Sequence, residues 1–146
     1  GTKIGKKEVS SCETDSSSLK NVDVKYAVKI YQQLVGSDKD SSLILKKEIT
    51  VTDKDKSSIN IDNKIKDLAE AKESKVNNKY NYSLDFKQIN KNIQIEINQK
   101  ILSDSKNQEW KKTEIQSLEK NNIVISSAPY EIQGKQYKTV YEINKG

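Results

Sequence analysis

The chain has 146 residues, 33% of them hydrophobic and 32% charged, with a formal net charge of +5. All 26 basic side chains are lysine; histidine, arginine and methionine are absent, and cysteine occurs once. These absences exclude imidazole acid–base catalysis, bidentate arginine recognition of phosphate or guanine, and metal sites built from Cys and His. The expectation is a non-enzymatic, cofactor-free and metal-free domain that binds something.

The length suits one domain. Leu, Ile, Val and Phe together supply 35 residues, which keeps the chain on the folded side of the disorder boundary. Ile outnumbers Leu by 17 to 8 and there are seven Tyr, a bias toward strands. The 21 acidic residues are interspersed among the lysines. That pattern reads as a solvated surface, so no nucleic-acid partner is expected. Cys12 has no intramolecular disulfide partner. No run approaches the ~20 apolar residues of a membrane-spanning helix.

In chain order, residues 1–20 carry only Ile4, Val9 and Leu19 as aliphatics, with a Ser-rich patch and no hydrophobic period. Too little apolar surface offsets the ordering entropy there, so this segment is expected to be a flexible tether. Its first residues, with Lys3, Lys6 and Lys7 and no acid, are basic. The folded domain is expected to span 21–146. Segment 22–35 fits strand and helix periods alike, and its β-branched content tips it to a strand. Gly36–Asp40 is a turn cluster, and Leu43, Leu45, Ile49 and Val51 alternate as a strand over 42–52.

Residues 53–58 read as a polar loop. Asp62 can cap a helix over 62–77, with Ile65, Leu68, Ala69 and Val76 on one face. The strongest signal follows: Tyr80, Tyr82, Leu84 and Phe86, then Ile93, Ile95, Ile97 and Ile101, alternate around a turn at 88–92. This predicts a hairpin over 80–102. Ser105-Lys-Asn-Gln108 has the form of a capping box and predicts a helix from 106 to about 120, with Trp110 and Leu118 near one face. The end returns to strands through Ile123–Ile125, Tyr130 and Ile132, and, after a turn at Gly134, through Tyr137, Tyr141 and Ile143. Pro129 fits an edge or a bulge. The expected fold is α+β, a twisted antiparallel sheet of about seven strands with two helices in the order ββ-α-ββ-α-βββ.

The motifs with catalytic or metal-binding form are weak. Ser17-Ser-Leu-Lys20 and Ser103-Asp-Ser-Lys106 match Ser-x-x-Lys, but the companion motifs of penicillin-recognising enzymes are missing. Asp53-Lys-Asp55 opens like a calcium loop, yet Ser58 and Lys64 stand where Gly and Glu are needed. Tyr80, Tyr82, Tyr130, Tyr137 and Tyr141 suit either a ligand face or, by the stronger expectation, the packing of the sheet. Asp38, Asp40, Asp53 and Asp55 lie in two loops that a simple hairpin places at opposite ends.

The opening GTKIGKKEVSSCETDSSS, the Lys/Asn/Ile-rich body and the length resemble the lantibiotic immunity lipoproteins of Bacillus and other Gram-positive producers, the family of the subtilin and nisin immunity proteins. The likeness runs over the whole chain and rests on no catalytic signature. It implies a lipid anchor on a Cys just before Gly1, at the extracellular face of the cell membrane. It also implies a basic N-terminal segment that touches anionic lipid through Lys3, Ile4, Lys6 and Lys7, and a monomer that intercepts the producer's lantibiotic, subtilin. Which folded residues bind the peptide does not follow from the resemblance. The reading that competes with it is a protein-interaction or scaffold domain of the cell envelope.

Overall fold

The computed structural model describes residues 23–37, 41–62, 78–103 and 105–146. They form nine strands: β1 (Val24–Leu34), β2 (Ser41–Val51), β3 (Ser57–Asp62), β4 (Lys79–Ile89), β5 (Asn92–Ser103), β6 (Lys106–Ser117), β7 (Asn122–Ser126), β8 (Tyr130–Ile132) and β9 (Lys135–Lys145). Two antiparallel sheets result. The first has the order β2-β1-β9-β7, with β8 also on β9; the second has the order β3-β4-β5-β6.

The described residues therefore begin as a hairpin in the first sheet, continue into the four strands of the second, and return to the first. The first and last of the described strands then pair along their length, with Tyr141 opposite Ile30.

Alternation builds the core. Val24, Tyr26, Val28 and Ile30 of β1 face Tyr80, Tyr82, Leu84 and Phe86 of β4 and the isoleucines of β5, all buried in one cluster with Tyr141 and Ile143 of β9. Tyr26 stacks on Phe86 across the sheets at 6.5 Å between ring centroids, and Trp110 stacks on Tyr141 at 6.0 Å. Gln88 Nε2 donates to the Val51 carbonyl at 2.9 Å, tying β4 to the end of β2.

The expected α+β class is corrected to all-β, and about seven strands to nine among the described residues, none of which is helical. The helix expected from 106 to 120 is β6. Its supposed cap, Ser105, has φ +63° and sits in the tight β5–β6 connection rather than at a helix N-cap. Gln108 does not close a capping box: its Nε2 donates to the Glu131 carbonyl and its Oε1 accepts from the Glu131 N–H, both at 2.8 Å. The helix expected over 62–77 lies outside the described residues, save Asp62, which ends β3.

β3 itself replaces part of what read as polar loop, its core contribution being Ile59, with half-buried Ile61 at the rim. The strand choice for 22–35, the hairpin over 80–102 and the terminal strands agree with the sequence pattern. The β4–β5 turn is tighter than expected, with Asn90 at φ +58°, and Gln133-Gly134 turns β8 into β9 with both residues at positive φ.

Candidate functional site

The sequence-flagged chemistry dissolves into structure. Ser103 and Lys106 pair across the β5–β6 turn. The serine hydroxyl is buried without a hydrogen-bond partner, while Lys106 Nζ lies 3.5 Å from Glu131. Among the described residues no base lies within hydrogen-bond reach of that hydroxyl, which a positioned nucleophile needs. In the Asp53–Asp55 loop the Thr52 hydroxyl accepts from the N–H groups of Lys54 and Asp55 at 3.3 and 3.1 Å, which makes a side-chain-closed turn. Among the described residues no three Asp, Glu, Cys or His side chains cluster as a metal site would need. Ser17, Lys20, Asp38, Asp40 and Cys12, and the membrane-contact residues Lys3, Ile4, Lys6 and Lys7, lie outside the described residues.

The five tyrosines weighed as a ligand face are all buried. They form the polar heart of the core. Tyr141 Oη donates to Gln99 Oε1 at 2.6 Å, joining the two sheets. Tyr130 and Thr139 share a hydroxyl–hydroxyl bond of 2.9 Å, and Gln32 Nε2 donates to Tyr130 Oη at 3.3 Å. Burial pushes the Tyr82 and Tyr141 phenols well above their ordinary pKa, with neighbouring Tyr130 adding to the shift in both. Both phenols are held neutral; Tyr141 serves as a hydrogen-bonding strut between the sheets, while the buried Tyr82 hydroxyl has no hydrogen-bond partner among the described residues.

The solvent faces carry what binding chemistry there is. On the second sheet, cross-strand register sets Asn60, Ser83, Asn98 and Lys111 in one row and Asp62, Asn81, Lys100 and Glu109 in the next. These rows line a shallow hollow of about 470 Å³. It is a surface of amides and mixed charge.

The first sheet differs. Leu43 lies opposite Tyr31, and Tyr31 opposite Val140. In the adjoining row Lys46, Lys29, Glu142 and Val124 follow one another. Leu43 and Val124 are 52% and 57% exposed, with Tyr31 and Val140 half-buried between them. Strands lie about 4.8 Å apart, so the apolar row Leu43–Tyr31–Val140 runs for about 10 Å and ends at Ser126, with Val124 diagonal to Val140. One irregularity makes it. A bulge at Ile30/Tyr31 shifts the β2 register by a residue, turning Leu43 outward while Ile44 and Leu45 pack against the core rim.

A third feature lies at the end of the sandwich where Asp23 leads into β1. A hollow of about 530 Å³ there is lined by Asp23, Val24, Lys25, Lys91, Leu118 and Glu119, among others. Lys145 Nζ caps its floor by donating to the Leu118 carbonyl.

Tyr31, Leu43, Val124 and Val140 were not legible as a group in the sequence, because they come from four strands and meet only through register. The chain matches no protein-family model, no curated protein and no solved structure.

Proposed function

We propose that the chain is a non-catalytic immunity lipoprotein that binds and sequesters its producer's own lantibiotic, subtilin or a close analogue, at the outer face of the cytoplasmic membrane. The single observation that supports this reading is the grouping of exposed Leu43 and Val124 around half-buried Tyr31 and Val140 on the solvent face of the first sheet. Aromatic and aliphatic side chains that stay in water while their neighbours are buried mark interaction surfaces. A small ring-constrained peptide is preorganised, so covering such a grouping orders little that was free. Glu48 and Glu142 on the same face offer carboxylates to its cationic groups. Residues 1–20 act as the tether, with the lipid on a preceding Cys and Lys3, Ile4, Lys6 and Lys7 against anionic headgroups; three lysines and one aliphatic give weak contact that the lipid makes stable.

Calorimetric titration of the full chain with subtilin, followed by mass spectrometry of the peptide, tests the reading. Saturable, equimolar binding with an unchanged peptide mass is expected. A modified peptide after exposure to catalytic amounts of protein, or no saturable heat, contradicts it.

A further inference from the structure

We propose that Lys29 and Lys46, side by side on the solvent face of the first sheet, hold the carboxyl terminus of the bound peptide and so fix the direction in which it lies. The assignment rests on the proposed lantibiotic binding and adds an orientation to it. Register places Lys46 of β2 directly opposite Lys29 of β1, both on the outward side. Like charges directly opposite one another across a sheet repel, whereas unlike charges stabilise the pair. Neither ammonium forms an ion pair among the described residues. Glu142 of β9 stands opposite Lys29 on its other side, and Glu48 stands one row away on β2, opposite Ala27. Glu142 offsets one of the two positive charges at most. An anion seated between the two lysines removes the repulsion that remains.

The place of the pair says which anion. Lys29 and Lys46 occupy the row next to Leu43–Tyr31–Val140. From Tyr31 to Lys29 is two residues along β1, or about 7 Å. A peptide whose apolar side chains cover the Leu43–Tyr31–Val140 row therefore carries its next residues over the two ammonium groups. An unblocked peptide bears one α-carboxylate, ionised at neutral pH whatever its side chains are. Its cationic groups go to Glu48 and Glu142. Exposed ion pairs are weak, so the lysines set the orientation more than they add affinity.

The test is calorimetric titration of the full chain with subtilin and with subtilin amidated at its carboxyl terminus. The acid form should bind about fivefold more tightly than the amide at low salt, and the ratio should fall as added salt screens the charges. Lys29→Gln with Lys46→Gln should bind the two forms alike. Both side chains point outward, so this variant should keep its fold, which thermal unfolding checks. Lys100→Gln with Lys111→Gln removes the same charge from the second sheet and should keep the preference for the acid. Saturable but equal binding of acid and amide by the unaltered chain overturns the orientation and leaves the peptide-binding proposal standing. A preference that survives in Lys29→Gln/Lys46→Gln overturns it by placing the carboxylate elsewhere. A preference lost equally in the second-sheet variant overturns it by reducing the effect to net charge. Absence of saturable binding to either form overturns both proposals.

Discussion

The two sheets share one core and turn opposite surfaces to water. The outer face of the second sheet is mostly amide, hydroxyl and mixed charge in successive cross-strand rows, with one exposed aliphatic, Ile115, opposite Gln94. That of the first keeps the apolar row Leu43–Tyr31–Val140, with Val124 on the diagonal beside it. Both faces rest on the same kind of alternating strand, so the contrast does not come from the backbone. It comes from which side chains sit at the outward positions, and on β2 from a one-residue bulge that moves a leucine from one face to the other. The lesson is that a binding face here is a matter of register. The first sheet gathers its outward apolar side chains at neighbouring register positions, and the second leaves its one exposed aliphatic, Ile115, among polar groups.

The largest expected effect removes the shared support and so erases the comparison. Phe86 is fully buried and stacked on Tyr26 across the sheets; Phe86→Ala should cost about 3–5 kcal/mol of stability in denaturant unfolding. A midpoint shift corresponding to under 1 kcal/mol would show that the sheets are not held together there. Next, Leu43→Ser with Val124→Ser should weaken lantibiotic binding by about 2 kcal/mol. Both side chains are more than half exposed, so stability should stay within about 0.5 kcal/mol. Calorimetry beside thermal unfolding separates the two quantities, and unchanged affinity would break the comparison.

Smaller again, Tyr141→Phe removes the donor that satisfies Gln99 between the sheets, an expected loss of about 1–2 kcal/mol. The same phenols set a pH limit. Burial raises the folded-state pKa of Tyr82 and Tyr141 above the unfolded value, so the unfolded chain releases their protons first as pH climbs. Their stabilising contribution is therefore intact below about pH 10 and declines above it. Unfolding free energies measured on both sides of that pH should fall on the alkaline side, and Tyr141→Phe should flatten the fall. The smallest effect is the control: Asn81→Ser with Asn98→Ser on the second sheet's face should leave affinity and stability within about 0.5 kcal/mol.

The legible parts of the fold are those with an apolar core side. In β4 and β5 nearly every second residue is buried and apolar, so the period of two survives in the sequence. β6 lies at the sheet edge, where Lys112, Glu114 and Gln116 occupy core-side positions and Trp110 is the one half-buried aromatic. Its period-two signal is thereby lost, and the spacing of Trp110 and Leu118, with a chance capping-box form, imitates a helix. β3 has only Ile59 and Ile61 to announce it. The candidate binding face escaped altogether. Leu43 reads as inward by simple alternation with Leu45, and only the bulge places it outside. The exclusion of His- and Arg-based chemistry, by contrast, needs no coordinates at all.

The central claim is that the first sheet's solvent face, not the second's, receives the lantibiotic. Amide chemical-shift mapping of the full chain with subtilin, with and without anionic liposomes, addresses it most directly. The account predicts that shifts concentrate at Tyr31, Leu43, Val124, Val140 and their cross-strand neighbours and saturate at an equimolar ratio. Shifts centred on Asn60, Asn81, Asn98 and Lys111, or on the hollow beside Asp23 and Leu118, would contradict it.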